Sequence, residues 1–367
     1  MSNSLEFRDY AYINAILKLI DGEIKFGLWS PENGNDEVEA LPSDKKSAKE
    51  KLEQLPYILV PLDEGIRAKR KRASQTIWSI DREKLKKFEP IAEYWSPVED
   101  QIHAATCTAA AGVSLLEYFQ RKGSCTHEGS CTHEDLSKRF LYTVTRKLMR
   151  DEVLAGATVR QAIAAMALFG VPPERYWQYN PEALNEEPDA FCYNLAKNFR
   201  ATSYIRLDRP RKPSQNLVDQ IKVFIAAGYP VMFGLWVYES LLKQTRDSFF
   251  KPEKEPSKVK GLIRFPEHNE KCIGSHALVA VGFDDDLPIK DKGNLSSKPT
   301  KGAFKIRNSW GGVWGEDGYG WLPYEHVLRG LTFDWWSVLQ AEYIDTAIFS
   351  LTENEHMIPK WDLFDPP

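Results

Sequence analysis

The chain has 367 residues, a formal net charge of −4 and 43% hydrophobic residues. The charge is slightly negative and the basic residues form no extended face, which argues against a nucleic-acid-binding protein. The first residues lack the basic start and apolar core of a signal peptide, and no uninterrupted apolar stretch reaches the length of a membrane span. The five cysteines, an odd number without framework spacing, favour a reducing compartment. We therefore expect a cytoplasmic protein that does not bind membranes.

Residues 1–90 form an N-terminal extension ahead of the motifs described below. A charged, helix-prone stretch over 43–55 precedes a candidate strand over 57–61. The basic run over 67–74 fits a solvated loop, a cleavage linker or a patch for an anionic partner. We favour the solvated loop, because short charged loops are common on protein surfaces.

Residues 108–119 predict a helix that begins with small residues. This helix would place Cys107 at its N-terminus. The unpaired amide groups and the helix dipole at such a position stabilise an anion, so the sequence favours a reactive thiolate there.

A perfect tandem repeat of the hexapeptide GSCTHE occupies residues 123–134. Alternating Cys and His side chains of an extended segment point to one side and could together bind zinc. Duplication of a tolerant surface loop is the interpretation that we favour, because the spacing differs from common zinc modules and Gly and Ser favour flexible turns. We accordingly expect no metal and no cofactor. The zinc alternative involves Cys125, His127, Cys131 and His133.

The rest of the chain predicts helices first and strands later. Apolar spacing predicts helices over 135–142 and 158–166. A polar loop rich in Pro, Gly and Ser is expected over 284–301, and its first three residues, all Asp, are interpreted as a solvated turn because they lack the glycine and distal glutamate of a calcium loop. Apolar runs of strand length predict strands over 231–238, 277–283 and 304–307.

Four widely separated residues have the chemistry needed to hydrolyse an amide. Cys107 would attack a carbonyl as thiolate, and His276 would take its proton and later return it to the departing amine. Asn308 would orient the imidazole by accepting a hydrogen bond from its other nitrogen. The side-chain NH2 of Gln101, with the backbone N–H of Cys107, would bind the oxyanion of the tetrahedral intermediate.

The order and local context of these residues resemble the papain-like cysteine peptidases. The matching motifs are SPVEDQ over 96–101, then Cys107, GSHA over 274–277 and NSWG over 308–311, followed by WGEDGYG over 314–320. The resemblance extends over about residues 92–350. It implies an α+β fold of two lobes, in which a helical lobe carries the nucleophile helix, a strand-rich antiparallel β lobe carries His and Asn, and the active site lies in the cleft between them.

The resemblance also implies a domain organisation and further site residues. Residues 91–367 would form the catalytic domain, with the helical lobe at about 100–215 and the β lobe at about 216–350. Residues 1–90 would be a propeptide or inhibitory segment that covers the cleft, or else a structural extension. Trp310 would shield the bond between His276 and Asn308. Ser275 and Gly156 would contribute to substrate binding.

The sequence departs from the family pattern just before the nucleophile. The six-residue step from Gln101 to Cys107 is kept, but Ile102 and Ala105 stand where the family usually has glycine. These two residues restrict a loop that relies on glycine for backbone freedom, so the oxyanion geometry is expected to be altered. Ala104 replaces a cysteine that forms a disulfide in secreted members, which agrees with a reducing compartment.

No rival catalytic motif is found, and four functions stay open. The first is an endopeptidase that hydrolyses polypeptides, and the second is a transpeptidase or amidase that uses the same acyl-enzyme chemistry. The third is a catalytically drifted peptide-binding domain. The fourth is a latent enzyme whose N-terminal 90 residues fill the cleft.

Overall fold

A computed structural model shows helices packed against an antiparallel sheet. None of its described helices is long and apolar enough to cross a membrane. The basic run at 67–74, the hexapeptide repeat from 125 to 133 and the helix-prone stretch at 43–55 lie outside the described residues. The structure describes residues 26–29, 36–37, 59–61, 76–77, 79–81, 84–102, 104–124, 134–149, 156–208, 213–241, 259–266, 270–289 and 300–342.

The N-terminal extension contributes a small antiparallel sheet, in the order β2-β1-β3. The third of these strands falls within the predicted strand over 57–61. The strands are β1 (Phe26–Trp29), β2 (Asp36–Glu37) and β3 (Leu59–Pro61).

The helical lobe contains the predicted nucleophile helix, which is longer than the sequence indicated. Thr158 caps the third helix by accepting a hydrogen bond from the Gln161 N–H at 3.3 Å. The second helix begins three residues later than predicted, because the hydroxyl of Ser137 accepts a hydrogen bond from the Phe140 N–H at 3.1 Å and so caps its start. The helices are α1 (Cys107–Ser124), α2 (Lys138–Met149), α3 (Val159–Leu168) and α4 (Ala190–Ala196).

The β lobe is built on a larger antiparallel sheet in the order β5-β10-β6-β7-β8-β9, with β4 paired to β7. β5 falls in the range assigned to the helical lobe, yet it pairs with β10 in this sheet. The elements are β4 (Lys87–Phe88), β5 (Arg200–Arg206), α5 (Gln215–Ala226), β6 (Val231–Tyr238), β7 (Cys272–Ile289), β8 (Thr300–Arg307), β9 (Tyr319–Pro323), α6 (Tyr324–Leu328) and β10 (Thr332–Glu342).

The two faces of this sheet bury two separate apolar clusters. On one face, Ala277 and Val279 of β7 pack with the helices of the helical lobe. On the other face, Leu278 and Ala280 pack with α5. Because successive strand residues point to opposite faces, one continuous apolar run serves both clusters, which explains why residues 277–283 show no alternation.

The predicted loop over 284–301 is partly wrong, and so is the solvated turn of three aspartates. β7 continues to Ile289, which pairs with Thr300 and is only 2% exposed. Asp285 accepts hydrogen bonds from the Lys222 ammonium and the Tyr324 hydroxyl, both at 2.8 Å. The aspartates made this part of β7 resemble a solvated loop in the sequence. The groups that pair with them come from other elements, so the sequence does not reveal that they belong to a strand.

Candidate active site

The N-terminus of α1 places Cys107 against the strand that carries His276. Cys107 is the first residue of the helix and is partly buried. The backbone of Ala277 lies near its sulfur and favours the thiolate form. The nucleophile and the residue that follows the candidate base are therefore in contact across the junction of the two lobes.

His276 and Asn308 form the hydrogen bond expected of a base and its orienting group. The imidazole Nε2 lies 2.8 Å from the Asn308 Oδ1, and both residues are buried. The same oxygen accepts a hydrogen bond from the Ser309 N–H at 2.8 Å, which identifies it as the carbonyl oxygen of the amide. Nε2 therefore donates, and in the neutral imidazole Nδ1 is left with a lone pair that can accept a proton.

Trp310 covers one face of this imidazole. The rings of His276 and Trp310 stack with centroids 4.7 Å apart and planes 22° from parallel. Trp314 supports Trp310 from the edge, with ring centroids 5.6 Å apart. The indole is placed where it can exclude water from the bond between His276 and Asn308.

Burial shifts the pKa values of Cys107 and His276 toward their neutral forms. It raises the pKa of the Cys107 thiol, although hydrogen bonds from the backbone at Ala277, Thr108 and Cys107 act in the opposite direction. It lowers the pKa of His276 to about 4, against the upward effect of the Asn308 hydrogen bond. The helix-start amides act on Cys107 as predicted, but burial outweighs them, so burial favours the neutral form of each of the two residues.

Gln101 is held at both ends of its side chain. Its Oε1 accepts a hydrogen bond from the Ser309 hydroxyl at 2.6 Å, and its Nε2 donates to the Ala104 carbonyl at 2.8 Å. Its backbone N–H also donates to the Ser309 carbonyl at 2.9 Å. One hydrogen of Nε2 has no acceptor among the described residues, and this is the hydrogen that a substrate oxygen could use.

The loop between Gln101 and the nucleophile has the altered geometry that its sequence predicted. Ile102 adopts a φ of 54°, in the left-handed region that glycine occupies freely and a β-branched residue rarely does. Its N–H donates to the Asp100 Oδ1 at 2.7 Å. The chain thus makes the turn without glycine, at a cost in backbone strain.

The two substrate-binding candidates lie near the segments that carry Cys107 and His276. Gly156, at a φ of 91°, has its Cβ position 3.9 Å from the Ala105 carbonyl oxygen, so it lies beside the loop before Cys107. Its own carbonyl accepts a hydrogen bond from Arg146 at 2.8 Å. Ser275 is exposed and lies opposite Trp236 in the sheet. The four zinc candidates, Cys125, His127, Cys131 and His133, lie outside the described residues.

Comparisons with known proteins bear on both sequence and fold. No protein-family model matches the chain. The chain is 29% identical over 222 residues to the uncharacterized peptidase C1-like protein L477 of Acanthamoeba polyphaga mimivirus, a match that takes in 60% of this chain and 63% of that relative, less than two thirds of its length. Xylellain, a cysteine protease from Xylella fastidiosa, is 26% identical with a TM-score of 0.49 and coverages of 70% and 91%.

The comparison that decides the fold is with the clostridial cysteine protease Cwp84, determined after propeptide cleavage. It superposes with a TM-score of 0.52 at 19% identity, over 72% of this chain and 59% of that one. The chain has the papain-like fold. The predicted resemblance to papain-like cysteine peptidases and the predicted α+β fold class are therefore confirmed.

The papain-like fold brings to the lobe junction a buried polar network that the sequence did not indicate. Arg307, next to Asn308, donates to the Pro97 carbonyl at 2.6 Å, the Tyr319 hydroxyl at 2.9 Å and the Ser96 hydroxyl at 3.3 Å. Ser96 in turn donates to the Glu117 carboxyl on α1 at 2.6 Å. Burial raises the pKa of Glu117 to about 8. An arginine that directly follows the apolar Ile306 in an alternating strand gives no sign of such burial.

Two further residues missed from the sequence support the loop before Cys107. The hydroxyl of Tyr179 contacts this loop at two points, and the ammonium of Lys138 contacts both the loop and the tyrosine ring. Tyr179 follows a short helical turn and Lys138 begins α2. Neither has a local motif, so only the packing of the helical lobe identifies them.

Proposed function

We propose that this protein is a cysteine peptidase in which Cys107, His276 and Asn308 form the catalytic triad and Gln101 contributes to the oxyanion hole. One observation carries the proposal: the hydrogen bond from His276 to Asn308 leaves Nδ1 as a base, beside a helix N-terminus that presents Cys107. The relative named peptidase C1-like supports the same activity.

Acylation starts from the neutral pair. The thiol of Cys107 transfers its proton to Nδ1 of His276 as its sulfur bonds to the substrate carbonyl carbon, and the carbonyl electron pair moves to oxygen. The Gln101 Nε2 and the backbone N–H of Cys107 stabilise that oxygen. The oxyanion then collapses, the C–N bond breaks, and the amine leaves with the proton held by His276.

Deacylation repeats these steps with water. A water molecule attacks the thioester carbon and gives one proton to His276. The C–S bond breaks, the acid product leaves, and the proton returns to the sulfur of Cys107. An amine in place of water would give a transpeptidase or amidase through the same acyl-enzyme.

The test is incubation of the purified protein with an unstructured polypeptide, followed by mass spectrometry. We expect fragments from the unaltered protein and none from Cys107→Ala or His276→Ala. Cys272→Ala is the matched control, because this free cysteine is exposed and lies outside the triad. Ligated products in the presence of an added amine would indicate transfer. Intact substrate in all samples would leave two alternatives, the peptide-binding domain and the latent enzyme, which removal of the N-terminal extension distinguishes.

The reactivity of Cys107 is tested separately by alkylation, with peptide mapping to distinguish it from the other cysteines. A general base in contact with the thiol accelerates labelling by about 100-fold, so His276→Ala should slow it by that factor. An alkylation rate that does not change in His276→Ala, and that depends on pH as for a free thiol with a pKa of about 8.5, would contradict an activated nucleophile.

We also propose that the N-terminal extension regulates the enzyme and that the protein works in a reducing compartment. Lys87 and Phe88, at the end of the extension, pair with Asp284 and Phe283 of β7, which ties the extension to the β lobe. Removal of residues 1–74 should increase the hydrolysis rate if the extension is inhibitory. An unchanged rate would indicate a structural extension.

A further inference from the structure

We propose that Tyr179 is a positioning residue that holds the oxyanion loop, defined here as residues 99–102 and 104–106, in the geometry that the reaction needs. This inference rests on the proposed function, because the loop is named for the oxyanion that it would bind. Tyr179 belongs to the helical lobe and lies 78 residues from Gln101 in the chain. The structure, however, brings its hydroxyl against both ends of the loop.

The hydroxyl of Tyr179 forms two hydrogen bonds with the loop, one at Gln101 and one at Thr106. It donates to the Gln101 carbonyl at 2.9 Å and lies 3.0 Å from the Thr106 hydroxyl. A phenol that donates to a carbonyl has only its lone pairs left, so Thr106 donates to Tyr179. The result is a chain of two hydrogen bonds, in which each strengthens the other, running from Thr106 through Tyr179 to Gln101.

These two hydrogen bonds hold the chain next to both predicted oxyanion donors, one at the backbone of Gln101 itself and one at the residue before Cys107. Gln101 supplies the side-chain N–H, and Thr106 directly precedes Cys107, which supplies the backbone N–H. Thr106 is fully buried, with an exposed fraction of 0%. A single hydroxyl therefore links the two backbone positions that carry the donors, and oxyanion stabilisation depends on the separation of those donors.

Lys138 fixes the position of the tyrosine itself. Its ammonium nitrogen lies 4.1 Å from the centroid of the Tyr179 ring. The same nitrogen donates to the Asp100 carbonyl and to the Glu99 carboxylate, each at 2.8 Å. The Lys138 side chain is 11% exposed, so these contacts are largely screened from water. Lys138 thus joins the tyrosine ring to the first two residues of the loop.

Ile102 explains why this loop needs external support. Its φ of 54° is costly for a β-branched residue and free of strain for glycine. Such a conformation persists only where surrounding contacts impose it. The Gln101 carbonyl belongs to the peptide that enters Ile102, so its bonds to Tyr179 and to the Ala104 N–H, at 3.1 Å, hold the strained residue in place.

The test uses Tyr179→Phe in the full chain, which keeps the ring over Lys138 and removes only the hydroxyl. We expect kcat to fall by about 10- to 100-fold, within the loss produced by removing one oxyanion donor, while KM changes little. Alkylation of Cys107 should keep its rate, because displacement of a halide forms no oxyanion. Tyr193→Phe is the matched control, since its hydroxyl donates to Glu187 at an exposed position.

A second variant separates positioning from general support of the fold. Glycine at position 102 adopts the left-handed conformation without strain. The double variant that carries both Tyr179→Phe and Ile102→Gly should therefore regain most of the kcat that Tyr179→Phe alone loses. A fall in the alkylation rate equal to the fall in kcat, or a double variant no more active than Tyr179→Phe, would overturn the positioning role.

Hydrogen exchange tests the same inference without any activity. In Tyr179→Phe, exchange of the backbone amides over 101–106 should accelerate by about 10-fold, since the hydrogen bond to the Gln101 carbonyl and its cooperative partner from Thr106 are both lost. Amides in the middle of α1 should not change. Unchanged exchange over 101–106 would refute the inference even if the protein proves inactive, whereas an inactive protein with accelerated exchange would refute only the proposed function.

Discussion

The imidazole of His276 and the indole of Trp310 stack with centroids 4.7 Å apart, and this contact covers the hydrogen bond from His276 to Asn308. Trp310→Ala should admit water that competes for Nε2. Loss of the hydrogen bond that orients the imidazole removes about 1 kcal/mol, so kcat/KM should fall by about 5- to 10-fold. Trp310→Phe retains a stacked ring and should lose less. Steady-state kinetics on both variants checks this, and equal losses would show that stacking is irrelevant.

Asn308→Asp should move the acid limb of the activity profile upward. Burial lowers the pKa of His276 to about 4, so the base of the unaltered protein stays unprotonated, and the enzyme active, down to about that pH. A carboxylate at hydrogen-bond distance favours the imidazolium and raises such a pKa by about 1–3 units. The replaced Nδ2 is buried without a partner in the described residues, so the change removes no protein hydrogen bond. The pH dependence of kcat/KM measures the shift, and an unmoved limb would mean that another group controls it.

Glu117→Gln should flatten the dependence of stability on pH. The folded pKa of about 8 lies above the ordinary value of 4.5, so the folded protein binds more protons between these limits. The contribution of Glu117 to the free energy of unfolding is fully present below pH 4.5 and is lost as pH rises through 8. The loss is at most about 1.4 kcal/mol per pH unit. Urea denaturation at a series of pH values gives the difference curve. Glu93→Gln changes an exposed carboxylate and should reproduce the unaltered curve.

Gly234→Ala should destabilise the β lobe, because a Cβ at this position would lie 2.5 Å from the ring of Phe333. Overpacking of this kind costs about 1–3 kcal/mol. The Phe333 ring also contacts the Trp236 ring, with centroids 4.5 Å apart and planes tilted by 35°, so displacement of one ring disturbs the other. Gly274→Ala is the matched control on the neighbouring strand, since nothing lies within 4 Å of its Cβ position. The urea midpoint should fall for the first variant only, and a fall in both would point to backbone effects instead.

The sequence by itself determined the parts whose information is local. Small residues after Cys107 specified a helix, and unbroken apolar residues after His276 specified a strand buried on both faces. The chemistry of thiol, imidazole and amide then restricted what these residues do when they meet. Ile102 in place of glycine predicted an altered loop before Cys107, and the φ of 54° at Ile102 agrees with that prediction. Each of these inferences needs only the properties of a residue and its immediate neighbours.

The tertiary structure decided everything that depends on partners distant in the chain. Burial moves the pKa values of Cys107 and His276 toward their neutral forms, and on Cys107 it outweighs the helix-start amides that the sequence reveals. Tyr179 and Arg307 have no motif, and their roles come from hydrogen bonds spanning 78 and 210 residues. The strand hidden in a polar stretch also depended on distant partners, because Lys222 and Tyr324 satisfy Asp285. Burial and pairing are properties of the packed lobes, and no local pattern encodes them.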